Sequence, residues 1–456
     1  MRSKLMIAAA VATSMMLGVG VAAADSVQEQ LRLMEQRMAE MEDRLEATSE
    51  KLKSAEATVE QQQAVLTEAG LAEDEDGVRS AAGEFFKMID VSGLVAASYN
   101  YRILGVTDNN LAIGNSFRHR NADTFSLDQL WLTLDKPTNE ESRAGFHGDL
   151  LYGESARAMR ASRVGQPLGG FTPGDSSDQD FYLFSAYVSY LAPIGNGIRF
   201  DLGKRDTLMG IERIKTNINY NVTQGRVFQL IPIVNTGLVA QTDLTDQISF
   251  AAGVFNDVAS DTSIDDSRNK AYFGQIAYNG DQFGFKVDTM VGKDSSSNLQ
   301  NSDGEDCQSG NACKTAILDA VATAQLGDNL EAWAQFVWVR HFGNSIDRSG
   351  DTHAVATAAR LHVTDATSFA GRFEYVNAEN DYRVAEGVAI PDMEEVLTLT
   401  FTGAHKLTDD LTLRGEMRWD RNLGNNHAFA ISNDGDGNFG SRSDQLLGIA
   451  ELFYEF

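Results

Sequence analysis

From Phe86 to the end of this 456-residue chain, short polar turns and long polar loops alternate without exception. The turns fall at Thr138 to Glu141, Pro193 to Gly197, Asp243 to Asp246, Asn279 to Asp281, Gly327 to Asn329, Thr364 to Ala366 and Thr408 to Asp410. Between successive turns lies a longer segment rich in Asn, Asp, Gly and Ser. Seven turns and eight loops give fifteen connections, and hence about sixteen strands. A soluble sandwich offers no reason for such regularity, whereas an up-and-down transmembrane barrel has short turns on one side and long loops on the other. The even strand number also returns both chain ends to the short-turn side. The fold expected is an all-β antiparallel barrel over residues 86–456.

The strands carry the two-sided pattern such a barrel needs. In Val91 to Ile103, the residues Val91, Gly93, Val95, Ala97, Tyr99, Tyr101 and Ile103 share one face, and Ser92, Ser98, Asn100 and Arg102 the other. Ile198, Phe200 and Leu202 oppose Arg199 and Asp201 in the same way. So do Leu411, Leu413, Met417 and Trp419 against Thr412, Arg414, Glu416, Arg418 and Asp420. A charged face repeated over many strands is costly against lipid or in a soluble core, but it can line a water-filled lumen. Arg102, Arg199, Asp201, Arg414, Glu416 and Arg418 are therefore candidate lumen residues. The final segment, Asp444 to Phe456, sets Leu446, Gly448, Ala450, Leu452, Tyr454 and Phe456 in one apolar row. An edge strand of a soluble sheet could show the same row. A terminal Phe after it is similar to the signal read by the barrel-assembly machinery.

Ahead of the barrel the period is different. Residues 1–24 read as a secretory signal peptide, with Arg2 and Lys4, an apolar run from Leu5 to Val21, and Ala22-Ala23-Ala24 before Asp25. Val27, Leu31, Met34, Met38, Met41, Leu45, Thr48, Leu52, Ala55, Val59, Gln62, Leu66 and Ala69 then alternate spacings of four and three. The apolar stripe is narrower than that of a helix docked on its own domain, which predicts a self-associating coiled coil. The acidic stretch Ala72 to Gly77 ends it. Residues 25–77 are thus expected to form a periplasmic coiled coil and linker.

Composition narrows the function. A formal charge of −27 excludes a protein built to grip a phosphate backbone. After the leader no apolar run reaches the ~18 residues of a membrane-spanning helix. The seven histidines are scattered, and neither a metal-ligand spacing nor a nucleophile elbow occurs, so no metal, cofactor or catalytic residue is expected. Cys307 and Cys313 are the only cysteines and sit close together in a predicted external loop. A disulfide is favoured there over a metal pair or two free thiols. Asp434-Gly-Asp436-Gly-Asn438 starts like a calcium loop, but Phe439 and Gln445 stand where Gly and Glu are required, leaving an acidic loop as the better reading.

The segments Phe125 to Pro137 (FSLDQLWLTLDKP), Ser142 to Glu154 (SRAGFHGDLLYGE), Ala186 to Lys204 (AYVSYLAPIGNGIRFDLGK) and Ile231 to Ala240 (IPIVNTGLVA) resemble the OmpL-like β-barrel porin family. The resemblance is strongest over Val91 to Asn256. It implies a porin-type channel in a Gram-negative outer membrane, surrounded by lipid and lipopolysaccharide, with no catalytic residues. The coiled coil lies outside that pattern. Because porins of this size are often trimers and the coil needs partners, a homotrimer is expected.

The third long loop, Asp206 to Asn235, is partly hydrophobic and carries Arg213, Lys215 and Arg226 against Asp206 and Glu212. It is long enough to fold inward and narrow the lumen, with contact to another protomer as the alternative. Arg213, Lys215 and Arg226 are then pore-constriction candidates favouring weak anion preference or a mixed field. The function expected is passive diffusion of small hydrophilic solutes. A structural anchor whose coil spaces the envelope layers is the other reading, and a barrel plugged by side chains would favour it. An outer-membrane hydrolase would need a nucleophile, base and oxyanion donors within reach, and nothing local supplies them.

Overall fold

The computed structural model describes residue 53 and residues 87–104, 123–162, 181–258, 269–293, 314–342, 351–378, 395–424, 429–433 and 439–456. The chain divides into two units, Met1–Met88 and Ile89–Phe456. The leader, the coiled coil and its linker apart from residue 53, both cysteines and the acidic loop at Asp434 all lie outside the described residues.

The second unit is a closed antiparallel barrel of sixteen strands. They are β1 (Asp90–Leu104), β2 (Thr124–Lys136), β3 (Ala144–Tyr152), β4 (Phe181–Ala192), β5 (Ile198–Asp206), β6 (Val234–Asp243), β7 (Ile248–Phe255) and β8 (Ala271–Asn279), then β9 (Phe283–Lys293), β10 (Lys314–Leu326), β11 (Leu330–Phe342), β12 (Asp351–His362), β13 (Thr367–Ala378), β14 (Glu395–Lys406), β15 (Leu411–Asn422) and β18 (Asp444–Glu455). Each pairs with its neighbours in sequence, and β18 closes on β1. Two additions escaped the period-two pattern. The helix α1 (Glu154–Ser162) occupies the second long loop, and a small hairpin of β16 (Phe429–Asn433) and β17 (Phe439–Arg442) the last one.

All seven short turns expected from the sequence join consecutive strands. Three of them share one local device. Thr245, Thr364 and Thr408 turn their hydroxyls back to accept backbone N–H groups two or three residues on, from Ile248 at 3.0 Å, Thr367 at 3.0 Å and Leu411 at 3.1 Å. A Thr-Asp step therefore recurs because the hydroxyl supplies the turn's missing acceptor.

The two strand faces separate as expected. Val91, Tyr101, Ile103, Leu202, Leu413, Met417, Leu452 and Tyr454 face outward and are exposed, while Asn100, Arg102, Asp201, Arg414, Glu416 and Arg418 point inward and are buried. The seam is tied at the carboxy-terminus, where Gly93 N–H donates to the Phe456 carbonyl at 2.8 Å and Phe456 N–H to the Gly93 carbonyl at 3.1 Å. A Cβ on residue 93 would stand 2.1 Å from the Phe456 ring, so only glycine lets the last side chain lie across the first strand.

Candidate functional site

The connection between β5 and β6, residues 207–233, lies inside the barrel. Its start rests on β9 and β10. Lys286 Nζ donates to the carbonyls of Leu208 and Gly210 at 2.6 and 2.7 Å, and Gly210 N–H donates to Asp319 at 2.7 Å. The loop then reaches β2 and β18. Gln129 donates to the Ile214 carbonyl at 2.7 Å and accepts from Thr216 N–H at 3.1 Å, while the Thr216 hydroxyl donates to Glu451 at 2.9 Å.

From Asn219 to Arg226 the loop follows β15, with loop and strand numbers rising together. Arg414 donates to the carbonyls of Asn219 and Asn221 at 3.1 and 3.5 Å. Glu416 accepts from Val222 N–H at 2.5 Å, Thr223 N–H at 3.1 Å and the Thr223 hydroxyl at 2.6 Å. Arg418 donates to the Gln224 carbonyl at 2.8 Å, and Arg226 pairs with Asp420 at 3.1 Å. The alternation of charge along β15 now has a local cause. Its cations take loop carbonyls, its carboxylates take loop donors, and one peptide segment needs both. Charge-assisted bonds of this kind contribute about 1.5 to 3 kcal/mol each when buried.

A second anchor stands on β13. Arg372 lies between Glu212 of the loop at 2.5 Å and its own neighbour Glu374 at 3.1 Å, and it also donates to the Thr223 carbonyl at 2.6 Å. Gly225 N–H reaches Glu212 at 2.7 Å and Val227 N–H reaches Glu374 at 3.1 Å. Gly225 is the residue that lets the backbone come so near, since a Cβ there would meet Glu374 Oε1 at 2.1 Å. Burial pushes the Glu212 carboxyl above the usual carboxylate range, against the pull of Arg372, and the nearby Glu374 adds to the rise. Burial lowers the Arg226 guanidinium from its usual value, with Asp420 opposing.

Apolar packing completes the fit. Met209, Val227, Leu230 and Ile231 pack in one buried cluster with Val337, Ala354, Ala356 and Ala358. The run of inward alanines on β12 leaves the loop its room. Ile214 and Phe228 join Trp131, Phe184 and the α1 residues Ala156 and Met159 in a second cluster. As a result, each of the sixteen barrel strands carries at least one inward side chain that is nearly or wholly buried.

The residues singled out from sequence have distinct fates. Arg414, Glu416 and Arg418 come together as loop anchors. Asp201 is a separate hub, holding Arg205 at 2.8 Å, Ser189 at 2.7 Å, Gln241 at 2.9 Å and the more exposed Arg199 at 3.4 Å. Arg102 is buried on β1, in the same register row as Arg418 across Leu447 of β18. Of the loop cations, Arg226 is buried in its pair. Arg213 is half-buried and donates to the carbonyls of Met209, Gly210 and Glu212, whereas Lys215 lies half-buried with Nζ 5.9 Å from the Trp131 ring. Sequence reading missed Gln129, Lys286, Asp319, Arg372, Glu374 and Glu451, whose partners lie far along the chain. Their place on the inward, period-two face of their strands was the available signal.

Residues 88–456 match the family model described as "Putative beta-barrel porin-2, OmpL-like". No curated protein matches the chain. Among solved structures, the chain is similar to an anion-selective porin from Comamonas acidovorans, at 12% identity and a TM-score of 0.53 over 81% of this chain and 99% of that one. It is also similar to OprB of Pseudomonas putida, at 11% identity and a TM-score of 0.53 over 83% of this chain and 96% of that one. These likenesses concern the fold. With a closed sixteen-strand barrel and a family match that runs from its first strand to the last residue, the chain belongs to the OmpL-like β-barrel porins of the outer membrane.

Proposed function

We propose that this protein is a passive diffusion channel for small hydrophilic solutes, with residues 207–233 as its constriction. The observation that carries the reading is the anchoring of that loop inside the barrel, along the β13 to β15 wall, by Arg414, Glu416, Arg418 and Arg372. The same segment is held on the far side by Lys286 and Asp319 of β9 and β10, and at β2 and β18 by Gln129 and Glu451, so a loop fixed at opposite walls would define a narrow passage. Arg213 and Lys215 are the loop cations left partly open to it, so they would weight the local field toward anions. The heptad seam at residues 26–70 supports a periplasmic coiled coil joining the barrels as a homotrimer, and Phe456 supports recognition by the barrel-assembly machinery.

The burial of inward side chains on every strand favours a second reading, a structural anchor whose coil spaces the envelope. Single-channel recording separates the two. The purified protein in planar bilayers should give discrete, small conductance steps, and removal of residues 213–226 should enlarge them. A barrel that stays silent with the loop removed is an anchor and no pore.

A further inference from the structure

The turn at residues 216–220 of the inward loop finds its partners at the strand ends nearest the short turns. Asn217 Nδ2 donates to Glu455 at 2.5 Å. Glu455 is the last residue of β18, and its own N–H donates at 3.0 Å to the carbonyl of Asp410, in the turn before β15. On the other side, the Arg360 guanidinium carbon lies over the Tyr220 ring, 4.3 Å from its centre, and the Tyr220 hydroxyl donates to Glu331. Glu331 is the second residue of β11 and stands in register with Arg360, which donates to it at 2.6 Å. One short segment is therefore pinned to both β18 and β11 at the short-turn end, which in outer-membrane barrels faces the periplasm.

Four strands separate β18 from β11. At ~4.8 Å per strand that stretch of wall measures about 24 Å, whereas the backbone from Asn217 to Tyr220 reaches at most about 10 Å. The segment therefore cuts across the mouth, with a pair of side chains bridging the gap at each end. Thr216 and Asn219 are buried, but Ile218 between them is 52% exposed. It is the large apolar side chain of residues 207–233 left exposed, and lipid does not account for it, because the loop lies inside the barrel. An apolar group at a narrow aqueous opening lowers the water density there and raises the barrier for tightly hydrated solutes.

We infer that residues 216–220 form a bar across the periplasmic mouth and that Ile218 on this bar sets the size limit of the passage. Asn217 and Tyr220 are positioning residues, since they hold the bar through Glu455, Glu331 and Arg360 without having to touch the solute. The long run anchored along β13 to β15 is then the fixed support from which the bar extends. The size limit rests on the diffusion channel proposed above, whereas the placement of the bar does not.

The test uses the full-length protein in planar bilayers and in whole cells, with heat-modifiable electrophoretic mobility verifying the fold of each variant. Ile218→Trp should lower single-channel conductance at least about twofold and Ile218→Ala should raise it, with the largest sugar admitted in liposome swelling moving the same way. Asn217→Asp sets two carboxylates against each other and should give larger, noisier steps. Adding Glu455→Gln exchanges donor and acceptor and should restore the native level, a recovery that a mere loss of packing does not allow. Tyr220→Phe, which keeps the ring beneath Arg360, should fall between the native protein and Tyr220→Ala. For placement, Ile218→Cys in a Cys307→Ser/Cys313→Ser background should react with a polyethylene-glycol maleimide too large for the lumen once the outer membrane is ruptured, and not in intact cells. Conductance indifferent to Ile218→Trp, labelling of intact cells, or no labelling after rupture would each overturn the inference and leave the channel standing. A native protein silent in bilayers would overturn the channel and the size limit with it.

Discussion

Glu416 on β15 and Thr223 in the third loop are joined by two hydrogen bonds, from the threonine N–H at 3.1 Å and its hydroxyl at 2.6 Å. Their positions are almost two hundred residues apart, yet this pair fixes the loop where it lies against the barrel wall. A third donor, Val222 N–H at 2.5 Å, occupies the other carboxylate oxygen, which also accepts from Thr402.

Glu416→Ala should therefore free the middle of the loop. Loss of one charged partner in a buried network costs on the order of 3 to 5 kcal/mol, most of it in groups left unpaired. The barrel itself should survive, because strand pairing is unaffected. Bilayer recordings should show larger or fluctuating conductance, with Glu416→Gln intermediate because it keeps an acceptor. Traces identical to those of the native protein would mean that the remaining anchors suffice to hold the loop.

The pair Gly93 and Phe456 makes a prediction about closure. Gly93→Val would drive a branched side chain into the terminal ring, at the point where β18 meets β1. Refolding into detergent, monitored by heat-modifiable mobility, should give a clearly lower yield of folded barrel. Adding Phe456→Ala should recover much of that yield, since the ring is then gone. A double variant no better than Gly93→Val alone would point to the backbone, and not the ring, as the sensitive element.

Glu212 gives a pH dependence. Its carboxyl is raised in the folded loop by burial, so the folded state holds its proton more tightly than the unfolded chain does. Loop stability from this group is therefore greatest below the unfolded value of about 4.3 and falls as pH rises from there toward the raised folded value. Exchange of the Gly225 amide, which donates to Glu212, reports local opening. Its protection, corrected for intrinsic exchange, should decline across that window, and Glu212→Gln should flatten the decline.

Much of the barrel was legible because its signals are local. A turn such as Leu407 to Asp410 is written in consecutive residues, and the lipid-facing row of β18 in every second one. The connection lengths alone carried strand number and the sides of the termini. The loop anchors were hidden for the opposite reason. Arg372 and Glu212 are 160 positions apart, and nothing in either neighbourhood names the other. Arg414, Glu416 and Arg418 were recognised as inward, but an open lumen and a docked peptide both welcome an inward charge. What distinguishes them is the inward Ala354, Ala356 and Ala358 on a neighbouring wall, small residues whose purpose becomes visible only once the loop rests on them.

Selectivity separates the three cations of the third loop. Arg226 is buried against Asp420, which it shares with Arg418, and Glu374 lies near it, so its charge is largely compensated within the wall and would add little to the field in a passage. Arg213 and Lys215 are only half-buried, so in a conducting lumen solvated solutes would approach them. The acidic character of the whole chain counts for little at that point, since charges farther than about 8 Å are screened at physiological salt. Arg213→Glu with Lys215→Glu should therefore shift the reversal potential in a salt gradient toward cations while leaving the amount of folded barrel unchanged. Arg226→Glu should behave differently. It sets two carboxylates against each other in a buried site, so it should unseat the loop and raise conductance before it alters ion preference. Reversal potentials that respond to Arg226→Glu alone, at native conductance, would place the narrowest point at the β15 wall and not beside Arg213 and Lys215.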